Sequence, residues 1–101
     1  MYSIVMCTSP IDEAPELASR VVVEKLVACV NICEVKSFFW WEGEVRNEGE
    51  SLLIMKTRTD RIGELKERIQ QIHSYEVPEV IAIPIVDGLR GYLSWIGESV
   101  E

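Results

Sequence analysis

One stretch of the sequence limits the fold more than any other. From Val27 to Arg58 the chain is dominated by β-branched and aromatic residues, which favour extended backbone. Asn47-Glu48-Gly49 supplies a turn within this stretch, so we predict a hairpin whose outgoing arm ends at Arg46 and whose return arm begins at Glu50. The nine residues of the return arm would span about 30 Å, roughly twice the usual strand length. We expect a bulge or bend at Gly43 or at Val35-Lys36.

The rest of the chain alternates strands and helices around this hairpin. Short apolar runs predict one strand before it and one after it, and the segments between them carry apolar residues at helical spacing. Pro84 lacks an N–H group, so the last strand is expected at a sheet edge or to end there. The predicted elements are a strand at Met1–Thr8, a helix capped by Asp12, the hairpin, a helix after Thr59-Asp60, a strand at Glu79–Val86 and a short last helix from Leu89.

This order, β-α-β-β-α-β followed by a short C-terminal helix, predicts an α+β fold with a ferredoxin-like antiparallel sheet, in one domain of residues 1–101. Right-handed crossovers place both crossover helices on one face of the sheet. The terminal helix is too short to cover the other face, so a partner chain is expected there. Alternation puts Phe38 and Trp40 on one side of their strand and Phe39 and Trp41 on the other, which is typical of a strand buried on both sides.

Composition excludes several classes of partner. The net charge of −7 disfavours binding to nucleic acid and to anionic membranes, because both are bound through clustered Lys and Arg. The aromatic run Phe38–Trp41 is not expected to stack on single-stranded nucleic acid, because no basic groove surrounds it. No apolar run approaches the roughly 20 residues that span a bilayer, and the N-terminus has the pattern of a strand rather than a signal peptide. The three cysteines are too few for a disulfide framework, which favours reduced thiols and a cytoplasmic location.

Two pairs of residues are candidates for metal binding. Cys29 and Cys33 would share one strand face but lie about 13 Å apart along it, so we expect both to be small buried hydrophobic residues. The first strand and the second helix should end at the same end of the fold, which brings Cys7 near His73. A thiolate and an imidazole suit copper or zinc, although two ligands leave the coordination incomplete. The alternative role of His73 is to cap the C-terminus of its helix.

No enzymatic motif is present in the sequence. A Ser-His-Asp set, a nucleophile elbow, a P-loop and a dinucleotide fingerprint are all absent, and the single histidine leaves acid–base chemistry to carboxylates that do not pair. We therefore expect a binding protein rather than an enzyme. Lys56 lies within the return strand and is expected to need a carboxylate partner there.

Six short motifs follow one another over nearly the whole chain: CTSP at Cys7–Pro10, EKLVACVNI at Glu24–Ile32, WWEGEV at Trp40–Val45, LIMKTR at Leu53–Arg58, HSYEVPE at His73–Glu79 and YLSWI at Tyr92–Ile96. In this order they resemble the CutA family of divalent-cation tolerance proteins. The resemblance implies a cytoplasmic homotrimer with hairpins exchanged between subunits, a role in tolerance to copper and other divalent metals, and no established reaction. His73-Ser74-Tyr75 departs from the usual His-Pro-Tyr, which leaves the orientation of His73 less secure.

The resemblance also bears on the sites. It supports Cys7 and His73 as ligands of copper or another divalent cation, because both match positions implicated in copper binding in bacterial relatives. It implies an inter-subunit cleft, formed by Trp41, Glu42, Lys56, Tyr75 and Glu79, that is either a network of interface salt bridges or a small-ligand site. Two alternatives to a metal-tolerance role stay open: a regulatory or scaffold trimer that binds a metabolite or partner there with metal incidental, and an enzyme of unknown reaction.

Overall fold

A computed structural model describes residues 1–100 of the chain. All paired strands run antiparallel in one four-stranded sheet of order β2-β3-β1-β4. The predicted α+β, ferredoxin-like order with a terminal helix is confirmed. The elements are β1 (Tyr2–Ser9), α1 (Ala14–Val23), β2 (Cys29–Trp41), β3 (Glu44–Arg58), a 3₁₀ turn (Thr59–Arg61), α2 (Ile62–Ile72), β4 (Val80–Pro84) and α3 (Arg90–Ser99).

The main core lies between the sheet and the two crossover helices, α1 and α2. Alternate residues of β1 and β3 point to this side and are buried against the apolar stripes of both helices. This packing follows from a period of two in the strands and of 3.6 in the helices. The residues at its centre are Val5, Cys7, Leu17, Val21, Leu53, Met55, Leu65 and Ile69.

The opposite face of the sheet is only partly covered. The ten-residue helix α3 lies there, with Ile96 and Val100 buried beside Tyr2. Farther along this face, Ile81 and Ile83 of β4 remain 52% and 46% exposed. The terminal helix is therefore too short to cover the face, as predicted, and β4 ends at Pro84 on the sheet edge. No helix among residues 1–100 is long and apolar enough to cross a membrane.

The return strand of the hairpin has 15 residues rather than the nine predicted, and the turn lies elsewhere. β2 and β3 pair without interruption from Trp41 opposite Glu44 to Cys29 opposite Lys56, so the turn is Glu42-Gly43 and not Asn47-Glu48-Gly49. Glu42 has a φ of 49° and Gly43 a φ of 79°, the signs that a two-residue type I′ turn requires. Gly43 thus forms the turn, and the unbroken register passes through Val35-Lys36 without the expected bulge.

Cross-strand pairing explains why this turn is preferred over the predicted one. In the observed register, Leu53 lies opposite Ile32 and Met55 opposite Val30, so apolar side chains pair on the core face. A turn centred on Glu48 would instead set Leu53 opposite Gly43 and would leave Val30 and Ile32 without apolar partners. Burial of the paired apolar residues therefore outweighs the local turn signal of Asn47-Glu48-Gly49.

The cysteines of β2 also differ from expectation. Cys29 and Cys33 share the face that does not carry α1 and α2, since they lie opposite Lys56 and Leu52. Cys29 is half-buried and Cys33 is exposed, so the prediction that both are buried is wrong for the single chain. The reason is that β2 is an edge strand and that none of the described elements covers its outer face at Cys33.

Candidate functional site

A cleft forms where the hairpin leaves the sheet. β1 ends with Ser9 opposite Ser51, so beyond that point the two arms of the hairpin pair only with each other. Residues of the loop that joins α2 to β4, from Tyr75 to Glu79, face this overhang across a recess of about 790 Å³. A recess of this volume falls in the range of small-molecule sites.

Aromatic side chains form one wall of the cleft. Alternation along β2 places Phe39 and Trp41 on the side that faces the loop, and both line the recess. Trp41 is 56% exposed, whereas Phe39 is half-buried. Tyr75 approaches from the loop and completes an apolar rim. The observed register confirms the predicted alternation, in which Phe39 and Trp41 project from one side of β2 and Phe38 and Trp40 from the other.

Carboxylates dominate the charged lining. Glu48 and Glu50 come from β3, Glu76 and Glu79 come from the loop, and Arg46 is the one cationic side chain among the residues that line the cleft. The Arg46 guanidinium is also 3.8 Å from the exposed Glu44 carboxylate. The cleft therefore has a negative potential that attracts cations.

Glu50 is the most buried of these carboxylates, with only 7% of its surface exposed. The Tyr75 hydroxyl donates a hydrogen bond of 2.7 Å to Glu50 Oε2. Burial raises the pKa of Tyr75 above its ordinary value, and the hydrogen bond to Glu50 and that carboxylate's charge raise it further. The phenol thus remains a neutral donor at physiological pH, and it links the loop to the hairpin.

His73 fixes the start of the same loop. It is the C-cap residue of α2, and its imidazole is buried with both ring nitrogens hydrogen-bonded. Nε2 lies 2.8 Å from the carbonyl oxygen of Thr8, and the backbone N–H of Tyr75 donates to Nδ1 at 3.0 Å. The tautomer with its proton on Nε2 satisfies both contacts. The imidazole also stacks at a tilt on the Tyr75 ring, with 4.7 Å between ring centroids.

The surroundings of Cys7 bear on the predicted metal pair. The His73 imidazole contacts the backbone of Thr8, the residue after Cys7, so the two predicted ligands lie at the same end of the sheet. Cys7 itself is fully buried on the helix-facing side, and its thiol contacts Thr8 O at 3.6 Å. Burial, with smaller contributions from the charges of Glu79 and Glu50, raises the pKa of the Cys7 thiol to about 12.

These groups do not form a ready metal site in the single chain. Metal coordination needs a thiolate and a free imidazole nitrogen, whereas burial raises the pKa of the Cys7 thiol and both nitrogens of His73 are engaged in hydrogen bonds. Within residues 1–100, no group of three or more His, Cys, Asp and Glu residues is arranged to hold a metal ion. An ion bound by Cys7 and His73 would have to break hydrogen bonds that position the loop.

The structure brings together part of the predicted cleft set. Trp41, Tyr75 and Glu79 line the cleft, but Glu42 and Lys56 do not. Glu42 occupies the hairpin turn. Lys56 lies on the partly covered sheet face, where its ammonium group hydrogen-bonds to Asn31 Oδ1 and lies 3.9 Å from Cys29 Sγ. An amide therefore takes the place of the carboxylate partner that we expected for Lys56.

Apart from Glu79, sequence reasoning missed the residues that give the cleft its charge, namely Arg46, Glu48, Glu50 and Glu76. The only available signal was Glu50, a carboxylate that lies two residues before the apolar run Leu52–Met55 in a strand. Its orientation depends on the hairpin register, and the misplaced turn concealed that register.

Comparison with known proteins places this architecture in a family. Residues 3–99 match the family described as CutA1 divalent ion tolerance protein. The chain is 43% identical over 102 aligned residues to the divalent-cation tolerance protein CutA of Archaeoglobus fulgidus, with all of both chains covered. The solved structure of a protein described as the periplasmic divalent cation tolerance protein CutA from A. fulgidus has a TM-score of 0.97 at 43% identity, with 100% of both chains covered. The apo form of a PII-like protein CutA from Nostoc sp. PCC 7120 has a TM-score of 0.94 at 36% identity, covering 98% of this chain and 97% of that one. The chain therefore belongs to the CutA1 divalent ion tolerance family.

Proposed function

We propose that the protein is a cytoplasmic homotrimer that contributes to tolerance of divalent metal ions, copper among them, by binding a ligand rather than by catalysis. The A. fulgidus relative is named a divalent-cation tolerance protein, which supports the cellular role. The observation that carries the binding mode is the cleft of about 790 Å³, with its aromatic wall and acidic lining. Such a recess, with a few converging polar groups, has the features of a ligand site.

Exposed apolar surface supports an oligomer. Trp40 is 75% exposed and Phe38 is 68% exposed on one side of the hairpin, while Ile81 and Ile83 are exposed on the sheet. Large apolar side chains left exposed in this way, at two separate places on the fold, are typical of surfaces that contact another protein chain. The trimeric number comes from the family resemblance, and assembly through the hairpins would bring a neighbouring subunit close to Trp41 and hence to the cleft.

A second candidate is a regulatory or scaffold trimer in which metal binding is incidental. The specific observation that favours it is the engagement of both His73 nitrogens in hydrogen bonds, together with the complete burial of the Cys7 thiol. The structural likeness to a relative described as PII-like is consistent with this candidate. The two candidates differ in whether copper binds directly to Cys7 and His73.

Metal titration of the assembled protein separates them. Native mass measurement reports whether chains of 11.5 kDa assemble in threes, and metal analysis of the same sample reports the bound ion. Copper is then titrated into the wild type, Cys7→Ala and His73→Ala, with Cys33→Ala as the matched control because that thiol is exposed. Loss of affinity in the first two variants alone supports direct metal binding. Unchanged affinity in both favours the regulatory trimer, and a monomeric mass contradicts the trimer.

The cytoplasmic location requires its own test. Free cysteines at positions 7, 29 and 33 suit a reducing compartment. The A. fulgidus protein is, however, described as periplasmic. Fractionation of cells that express the native chain, with marker enzymes for each compartment, distinguishes the two locations. Recovery with the periplasmic markers would contradict the proposal.

A further inference from the structure

The charge and shape of the cleft select a chemical class of ligand. We propose that the cleft binds a small organic cation, an amine whose ammonium group pairs with the carboxylates and whose carbon skeleton packs on the aromatic wall. This inference rests on the proposed binding function and names the ligand class of the same site. It is carried by three features of the cleft: its size, its buried carboxylate and its exposed aromatic rings.

The size and the arrangement of donors argue against a bare metal ion as the principal ligand. A recess of about 790 Å³ is far larger than an ion needs. Its carboxylates are divided between β3 and the loop, and no group of three in residues 1–100 is arranged around one ion. An organic anion is disfavoured as well, because Arg46 is the one cation among the lining residues and it already lies near Glu44.

Glu50 gives the cleft an anchor for positive charge. This carboxylate is 7% exposed and lines the recess, and the hydrogen bond found for it comes from the neutral hydroxyl of Tyr75. A buried carboxylate is stabilised by a cation or by several donors, and one phenol supplies only part of that. An ammonium group carries three donors and a positive charge, so it complements Glu50. Glu79 and Glu76 of the loop add negative charge from the opposite wall.

The aromatic wall complements the rest of such a ligand. Phe39 is half-buried, and Trp41 is 56% exposed beside the acidic lining. The face of an indole ring attracts cations more strongly than that of a phenyl or phenol ring, and it also offers apolar area to a carbon skeleton. Carboxylates beside exposed aromatic rings thus favour a molecule that is cationic at one end and apolar at the other.

A pair of probes that differ mainly in charge tests the inference. 2-Phenylethylamine and 3-phenylpropionate are each titrated into the full-length, assembled protein at low salt, by calorimetry and tryptophan fluorescence, with Cu²⁺ alone as a third probe. We expect the amine to bind about tenfold or more tightly than the acid, since a hydrogen bond to a charged group contributes at least about that factor to affinity. The preference should shrink at high salt because exposed charges are screened.

Matched variants locate the binding. Glu79→Gln alters an exposed cleft carboxylate, Glu50→Gln alters the buried one, and Glu67→Gln alters an exposed carboxylate of α2 that does not line the cleft. We expect each cleft variant to weaken the amine about tenfold and the control to leave it unchanged. Since Glu79 is exposed, its variant keeps the test valid even where Glu50→Gln fails to fold.

The outcomes separate this inference from the proposed function. Cleft-dependent binding of the acid as tightly as the amine overturns the ligand class but keeps the cleft as a binding site. Copper binding through Cys7 and His73 with neither organic probe bound overturns both the ligand class and the cleft. The inference is also overturned if the assembled trimer does not bind the amine because a lysine or arginine of a neighbouring copy occupies the cleft. The inference is supported if the amine binds, if Glu79→Gln weakens that binding and if Glu67→Gln leaves it unchanged.

Discussion

The contact between Tyr75 and Glu50 holds the α2–β4 loop against the hairpin, so its removal should measurably destabilise the protein. Tyr75→Phe deletes a single oxygen that donates at 2.7 Å to Glu50 Oε2. Hydrogen bonds to charged groups contribute about 1.5–3 kcal/mol, and loss of one leaves the acceptor desolvated. Glu50 is 7% exposed but Tyr75 is only half-buried. We therefore expect the free energy of unfolding to fall by an amount near the lower end of this range, about 1.5–2 kcal/mol.

A double-mutant cycle isolates this pair from other consequences of each change. The free energy of unfolding is measured by denaturant titration for the wild type, Tyr75→Phe, Glu50→Ala and the double variant. Protein concentration is held constant, because the stability of an oligomer depends on it. Tyr92→Phe serves as the control, since it deletes a hydroxyl from a residue that is 45% exposed and whose hydrogen-bond contact is with the weakly bonding thiol of Cys29, and its effect should stay within about 0.5 kcal/mol.

The coupling energy decides the outcome. We expect Tyr75 and Glu50 to be coupled by about 1–2 kcal/mol, so that the double variant is little worse than Glu50→Ala alone. A coupling energy below about 0.3 kcal/mol, within the error of additivity for independent sites, would refute the contact as the link between loop and hairpin. In that case the cleft wall formed by Tyr75 would have to be held by other residues of the loop.

Three further changes test the hairpin and the buried thiol. Deletion of Phe39–Arg46, with the arms rejoined by an Asn-Gly turn, removes the aromatic overhang, and we expect monomers by native mass measurement; a stable trimer would contradict this role. Glu42 has a φ of 49°, which asparagine tolerates better than glutamate, so Glu42→Asn should add about 0.5–1 kcal/mol to the free energy of unfolding measured by thermal denaturation. No gain in stability would contradict the type I′ turn. The pKa of Cys7 is raised from 9.0 to about 12, so its stabilising contribution is complete below pH 9 and declines as the pH rises towards 12. Denaturant titration across this range should show a steeper decline for the wild type than for Cys7→Ala, and parallel curves would contradict the raised pKa.

The elements of the fold could be predicted because each has a local signal. Apolar residues such as Leu17 and Val21, or Leu65 and Ile69, recur at helical spacing, and they do form the buried stripes of α1 and α2. The turn could not be predicted in this way. Asn47-Glu48-Gly49 carries the stronger local turn signal, and only the pairing of distant residues across the sheet places the turn at Glu42-Gly43.

The candidate site was predictable only in part, for the same physical reason. Trp41, Tyr75 and Glu79 were grouped through the family resemblance, and they do line one cleft. The side of a strand on which Glu50 lies depends on the hairpin register, so an error in the turn hides which carboxylates converge. Lys56 was expected to meet a carboxylate, but the residue within reach on the neighbouring strand is Asn31.

Tyr75 joins the two regions that the sequence suggested as separate sites. Its backbone N–H is held by His73, whose other ring nitrogen is held by Thr8, and its hydroxyl holds Glu50 in the cleft. The residue after His73 is Ser74 rather than a proline, yet His73 adopts an extended backbone with φ of −80° and ψ of 142°, and the Ser74 hydroxyl donates to Glu13 at 2.6 Å. Hydrogen bonds thus supply the constraint that a proline ring would otherwise provide. The imidazole is therefore part of the support of the cleft, and any ligand that withdrew it would also release the loop that forms the cleft wall.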